Sequence, residues 1–520
     1  MKKRAIKILK GFFLFIGLLL IIITAAILWP MPTIEAPKKH AKTLITSIDI
    51  IDVKTGEVLR NRDVLIEGNL IKSIDTTGIL KVPKTAFVIN GEGKYMIPGL
   101  WDMHTHSNHH SPWLHHPLYI ANGVTGIRDM SGTLDKKDSY WVGSKERLKW
   151  NNDLLNNKRI TPRYVLQSSY QIDGKSSVPS DSPSFFRLEN TSDVDELLDF
   201  YKKEKVDFIK VYQQIKPDSY RKLAAEAPKY GIHLAGHKPM FLSLEEAILL
   251  GQKSFEHGRI FMFESFLKAD SLKNPDNWKE FYSKSKKSII SDYDENIAVR
   301  LMELMKEKNA YWTPTLQTLK FEANAHKEQF LDNPNLKYVT QVRKKLWWGI
   351  DASNNKKRNV SPEGKNVSKD FYEAAKKQVK KASDIGVPIM TGADVTDSYT
   401  FAGFSVHDEL YDLTESGLSN LEALQTATIV PAQYANLQAS YGSVDIGKMA
   451  DLIILDGNPL ENINNTKKIN SVLLNGVLYD SKKISELKEF TESIASSFHI
   501  NVKALKSLIG SPLIRVQFAD

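Results

Sequence analysis

Tyr95-Met96-Ile97-Pro98-Gly99-Leu100-Trp101-Asp102-Met103-His104-Thr105-His106 is an apolar run that closes on a His-x-His pair. Side chains alternate faces along a strand, so the two imidazoles point the same way, with their Cβ atoms about 6 to 7 Å apart. Neutral imidazole suits zinc and its first-row neighbours, and a catalytic ion needs only some protein ligands and one open position. His109, His110, His115 and His116 follow closely, so the pair taken alone could instead belong to a histidine-rich surface loop. The remainder of the chain decides between the two readings.

Upstream, short β-rich runs at Leu44 to Ile51, Asp63 to Glu67, Leu70 to Ile74 and Ala86 to Asn90 are broken by Gly, Asp and Asn turns. The same texture returns at Ala450 to Leu455 and Ile469 to Tyr479. Between these flanks, strand-like and helix-like segments alternate, the pattern of parallel βαβ units. Eight candidate strands end near His106, Met130, Ser169, Tyr212, His237, His257, Gln317 and Asp394. Amphipathic stretches such as Val194 to Glu204, Tyr220 to Lys229, Leu244 to Leu250 and Val406 to Glu415 lie between them. The pattern predicts an α/β fold, a TIM (β/α)8 barrel over residues 98–438. Two large insertions, Phe261 to Lys308 and Thr318 to Lys380, would sit beside its active site as a lid or an oligomer contact.

The chain has 520 residues, 42% hydrophobic and 25% charged, enough for one large catalytic domain and a smaller one. A net charge of +9 raises the question of nucleic acid, but Lys and Arg are scattered apart from the N-terminus and Lys356, Lys357, Arg358 and Lys365. No nucleic-acid partner is expected. The absence of cysteine excludes disulfides, iron–sulfur clusters, thiolate zinc sites and cysteine nucleophiles, so any metal is held by nitrogen and oxygen. Residues 1–10 carry Lys2, Lys3, Arg4, Lys7 and Lys10, and residues 11–29 are an uncharged, almost wholly apolar run. As a helix that run spans about 28 Å, close to the ~30 Å hydrocarbon core of a bilayer. Thr24-Ala25-Ala26 could be a cleavage site, but the apolar run continues past it, which favours an uncleaved transmembrane signal anchor. The positive flank stays inside, placing the body outside the cytoplasm, on the periplasmic or cell-surface side. Residues 30–42, with three prolines, read as a linker lifting the body off the membrane. Residues 483–520 are a tail, helix-like near Ser485 to Ala495.

In a TIM barrel the catalytic groups project from the C-terminal ends of the strands. The polar residues at those ends are His104, His106, Lys210, His237, His257 and Asp394. Each has an ordinary alternative: a satisfied core or surface histidine, one exposed position of an edge strand for Lys210, a helix N-cap for Asp394. Their order can be read with Pro98-Gly99-Leu100-Trp101-Asp102-Met103-His104-Thr105-His106, Gly123-Val124-Thr125-Gly126-Ile127-Arg128-Asp129, Phe255-Glu256-His257-Gly258 and Gly447-Lys448-Met449-Ala450-Asp451-Leu452. Together they resemble the amidohydrolase superfamily, in particular its imidazolonepropionase-like and prolidase-like branch. The resemblance runs from about Leu44 to Asp480. It implies that residues 43–97 and 439–482 join into a composite β-sandwich, whose second half Asn458-Pro459-Leu460 matches. It implies two divalent metal ions, zinc first, with manganese, cobalt or iron compatible with the same ligands. His104 and His106 would bind the more buried ion with Asp394, and His237 and His257 the second. Lys210 stands where binuclear members carry a lysine carboxylated by carbon dioxide, whose two carbamate oxygens bridge the ions.

A water held by dications has its pKa lowered from 15.7 towards ~7, and a second ion about 3.5 to 4 Å away can polarise the carbonyl under attack. The implied reaction is hydrolysis of an amide bond by a metal-bridging hydroxide, with Asp394 as the catalytic group that hands the proton to the leaving amine. Tyr212 shares a strand face with Lys210 and could hydrogen-bond the substrate carbonyl or oxyanion, or be a packed strand aromatic. Arg128 could clasp a substrate carboxylate, although a structural ion pair is the favoured reading. The histidines after His106 would line the pocket, and His233 is a strand residue without a role. The expected substrate is a small molecule: a dipeptide of the prolidase kind, an N-acyl amino acid or a cyclic amide. The alternatives are a cyclic amidase, a lactonase, a deaminase or a metal-free scaffold protein. A deaminase would be mononuclear and would not need Lys210, and a scaffold would have lost ligands that are all present here.

Overall fold

The computed structural model describes residues 2–81, 84–133, 138–168, 172–174, 177–180, 182–273, 286–359 and 367–519. Ser169, an expected strand end, and Lys365 of the basic cluster lie outside the described residues. Lys2–Leu28 forms one continuous helix, the basic residues 2–10 included, since lysine and arginine are good helix formers. Within it Ile6–Leu28 has a mean hydropathy of 2.9 and no buried residue over its apolar window, long and apolar enough to cross a membrane. The proline-rich segment that follows lies against the body. It is strapped to it: Trp113 Nε1 donates to the Pro32 carbonyl at 2.8 Å and Asn157 Nδ2 to that of Pro37 at 3.0 Å.

Five strands come first: β1 (Lys42–Ile51), β2 (Val58–Glu67), β3 (Leu70–Thr76), β4 (Phe87–Asn90) and β5 (Tyr95–Pro98). β6 (Leu100–His106), β7 (Val124–Ser131) and β8 (Arg163–Tyr164) then pair in parallel. β9 (Phe208–Val211), β10 (His233–Gly236), β11 (Ser254–Glu256) and β12 (Tyr311–Thr313) form a second parallel set. Parallel bridges from Ser168 to Phe208 and from Ile172 to Val211 link the two sets on one side; Trp312 to Ile389 and Thr105 to Val395 link them on the other. These strands are buried almost throughout, as parallel strands covered by helices on the outside must be. The arrangement is a TIM-barrel-like α/β fold.

The helices Asp193–Glu204, Pro217–Glu226, Leu244–Leu249 and Phe404–Glu415 occupy the segments where helical spacing predicts them. One expected strand end is displaced. The strand ends at Thr313 rather than near Gln317, because Pro314 cannot donate to a ladder and Thr315 turns into the left-handed region at φ 43°. Gln317 therefore lies in the first turn of the helix Leu316–Asn324. Glu409 caps that helix, accepting from the backbone N–H groups of Leu316 at 2.8 Å and Gln317 at 3.1 Å.

The chain's last strands, β13 (Leu452–Leu455), β14 (Ile469–Leu474) and β15 (Val477–Tyr479), return to the first five and complete one eight-stranded sheet of order β15-β14-β13-β5-β1-β2-β3, with β4 on β1. Ile45, Val64, Met96, Leu452 and Leu473 are buried together on it. Since β5 runs into β6 across Gly99 alone, this sheet fixes where the His104–His106 strand begins. Beyond it the tail forms the helices Ser481–Ser496, Phe498–Gly510 and Pro512–Ala519. The middle one grips the end of the apolar N-terminal helix, with Lys503 Nζ donating to the Ile27 carbonyl at 2.5 Å and His499 Nε2 to that of Trp29 at 2.9 Å.

Candidate active site

The strand ends deliver the expected side chains to one place. β6 brings His104 and His106, β9 brings Lys210, His237 and His257 follow β10 and β11, and Asp394 lies in the segment bridged to β12 and β6. His106 Nε2 lies 2.7 Å and His104 Nε2 3.4 Å from Asp394 Oδ1. His237 Nε2 and His257 Nε2 are 2.7 Å apart, and His257 Nδ1 is 3.6 Å from the second oxygen, Asp394 Oδ2. One carboxylate thus stands between a pair of imidazoles on each side. His257 and Asp394 hold left-handed backbone at φ 75° and 57°, a cost that non-glycine residues bear mainly where surrounding structure enforces a functional geometry. Gly392 permits the close approach, since a Cβ there would meet the His104 Cβ at 2.7 Å.

The tautomers are set from behind. His104 Nδ1 pairs with Glu256 Oε2 at 3.0 Å, which turns Nε2 towards Asp394. Thr315 Oγ1 sits 2.9 Å from His257 Nδ1 and leaves its Nε2 for His237. Burial draws His104 down to about 4 and His237 and His257 well below the ordinary histidine value, so all three rings are neutral near pH 7. Burial would raise Asp394, but His104, His106 and His257 outweigh it and keep the carboxylate ionised. Burial likewise lowers Lys210 to about 8 against the pull of Glu256 and Asp394, which increases its neutral fraction.

This donor set fits divalent cations. Neutral imidazole lone pairs and an ionised carboxylate are the ligand forms such ions require. Two neutral ring nitrogens at 2.7 Å repel unless one carries a proton or a cation draws both, and His237 Nδ1 is buried with no hydrogen-bond partner among the described residues. His104, His257 and Asp394 offer ligand atoms within 4.8 Å of one another.

Arg128 is fully buried among the strands. Its Nη2 donates to Glu256 Oε1 at 2.8 Å, its Nη1 to Ser254 Oγ at 2.9 Å and its Nε to the Met103 carbonyl at 2.6 Å. It is thus placed as an ion pair and not as a clasp for a substrate carboxylate. Tyr212 stacks on His237 with ring centroids 4.4 Å apart, and burial raises its hydroxyl above the ordinary range. Of the later histidines, His110 and His115 line a neighbouring cavity, whereas His116 is a core residue bonded to Tyr164 at 2.9 Å. His233 bonds the Tyr434 hydroxyl at 3.1 Å, away from the ligand cluster.

Three supporting residues escape sequence reasoning. Glu256 and Thr315 orient ligand rings, and Arg259, two residues past His257, adds positive charge felt by His257, His237 and Tyr212. Glu256 stands in the quoted Phe255-Glu256-His257-Gly258, so adjacency to a ligand was the available signal.

The description of the amidohydrolase family matches residues 208–478. The adenine deaminase of Staphylothermus marinus is 27% identical over 160 residues, 30% of this chain and 24% of that protein, so the chain matches only about a quarter of that relative's length. Among solved structures, bottromycin amidohydrolase superposes with a TM-score of 0.68 at 20% identity, covering 91% of this chain and 93% of that one. A Xaa-Pro dipeptidase with bound methionine in its active site gives 0.59 at 20% identity, covering 85% and 100%. Likenesses at that identity show the fold, and the family match spans just over half of the sequence. The chain belongs to the amidohydrolase family.

Proposed function

We propose that this hydrolase of C–N bonds is a metal-dependent amidohydrolase that cleaves the amide of a small molecule of the dipeptide kind. Its frame would be a closed (β/α)8 barrel with a composite β-sandwich, and residues 11–29 would anchor it with the body outside the cytoplasm. The observation that carries the reading is the carboxylate of Asp394 flanked by the two imidazole pairs. His104, His106 and Asp394 would hold one divalent ion, His237 and His257 a second, and Lys210, as its carbamate, would join them. When bound, such ions supply Lewis acidity, lowering the pKa of water and polarising a carbonyl.

The remaining work belongs to the chain. Asp394 accepts the proton of the attacking water and returns it to the leaving nitrogen. Tyr212, held against His237, donates its hydroxyl to the developing oxyanion. Glu256 keeps His104 in the tautomer that presents Nε2. The test is metal analysis of the purified full chain together with amine release from a panel of dipeptides; about two ions per chain with turnover is expected, and neither metal nor turnover would overturn the reading. The similarity to adenine deaminase favours a second reading, deamination, which ammonia release from adenine by the same preparation would reveal.

A further inference from the structure

A cavity is lined in part by residues that closely follow His106 and Asp394 in sequence. Its lining includes Asn108, two residues past His106, and Val395 and Thr396, which follow Asp394. Its walls are mostly apolar and come from distant parts of the chain: Leu114 and Leu118 after β6, Trp348 in the second insertion, Phe401, and Ala504 and Leu508 of the helix Phe498–Gly510. The insertion and the tail are tied together, because the Val342 N–H donates to Asn501 Oδ1 at 3.1 Å.

One cation faces this apolar chamber. Arg343 Nη1 donates to the Thr396 carbonyl at 2.6 Å, which ties the guanidinium to the segment that follows Asp394, and the group also meets the Tyr140 hydroxyl and lies 4.9 Å over the Trp347 ring. No described carboxylate forms an ion pair with it; Asp397 acts on it only from a distance. A guanidinium set in apolar surroundings without a counterion is a ready partner for a carboxylate, which it can meet through two parallel N–H donors.

Charge and apolar wall share one chamber, so the groups they recognise must belong to the same half of the substrate. An amino acid with a large apolar side chain and a free α-carboxylate meets this demand. A fatty acyl chain does not, because in an N-acyl amino acid it lies across the amide from the carboxylate. We propose that the chamber binds the leaving half of the substrate, an apolar amino acid whose α-carboxylate pairs with Arg343 while its side chain packs between Leu118, Trp348, Phe401 and Leu508. The assignment rests on the amide-hydrolase reading above and names its substrate class.

Binding of the free product half tests it without turnover. Calorimetry on the full chain in detergent would compare phenylalanine, as both enantiomers, with phenylalaninamide and glycine. The better enantiomer of phenylalanine should bind about ten- to hundred-fold more tightly than either comparator. Arg343→Gln should erase the preference for acid over amide and keep the preference for phenylalanine over glycine. Ala504→Trp, which fills the chamber from the tail, should do the reverse. Arg343→Lys keeps the charge and should retain part of the acid preference, guarding against a folding artefact. Equal binding of phenylalanine and its amide by the wild type would overturn the proposal, as would an Arg343→Gln variant that still discriminates them. So would loss of N-dodecanoylglycine cleavage in Ala504→Trp with N-acetylphenylalanine cleavage intact, since the chamber would then hold the acyl chain. If the binding preferences hold but no amide is hydrolysed, the hydrolase reading fails and the chamber stands.

Discussion

Glu256 serves two buried groups at once, accepting from Arg128 at 2.8 Å and from His104 at 3.0 Å. Glu256→Gln should therefore cost about 3 to 5 kcal/mol of stability by leaving Arg128 uncompensated, read by denaturant unfolding. It should also weaken metal binding by roughly 10- to 100-fold in a chelator titration, because the His104 ring loses its orienting partner. Asp394→Asn keeps the shape of the site but removes the proton acceptor, and turnover should fall by about 10²- to 10⁴-fold with most of the metal retained by elemental analysis. Lys210→Ala should lose both metal and activity and recover part of each with added short carboxylates; a variant that keeps its metal would show that Lys210 is not a ligand. His104, His106, Lys210, His237 and His257 were legible as candidates because each sits at or just past a strand end in a recognisable local run. Glu256's task was not, since it depends on a residue 152 positions away in sequence, and no local pattern reports such a partner.

Gly99 separates β5 from β6 and shows how tightly the two sheets are joined. A Cβ there would meet Thr125 Oγ1 at 2.1 Å, so Gly99→Ala should destabilise the protein by about 1 to 3 kcal/mol, and adding Thr125→Ala should recover part of that loss in thermal unfolding. At this scale the strands β6, β7 and β9 to β11 were readable from short apolar runs ending in polar residues. The segment around Asp394 was harder. It makes isolated bridges rather than a ladder, because residues 391–395 carry the turn that aims the carboxylate. The misplaced strand end near Gln317 has a local cause in Pro314 and Thr315 and a remote one: the helix Leu316–Asn324 is capped by Glu409, supplied by a different helix. Turns decided by remote partners leave little trace in the local sequence.

For the molecule as a whole, buried neutral histidines set the response to acid. Burial pulls His407 down to about 4 and His110 to about 3. Between the ordinary value near 6.5 and those values the unfolded chain binds protons that the folded chain does not, so stability falls as pH drops through that window and is intact above it. The melting temperature should decline from about pH 6.5 towards 4. His407→Gln should show a shallower decline; an unchanged slope would mean that His407 is not buried in its neutral form. The overall architecture was legible from alternation and from the β-rich flanks. The placement of the tail was not, because its helices pack against an insertion and against the first helix, which a linear pattern does not connect. Lys503 and His499 make the last turn of that first helix and one wall of the Arg343 chamber a single mechanical piece. A load that leans the apolar rod to one side would be delivered, through those two bonds, to the helix that carries Ala504 and Leu508.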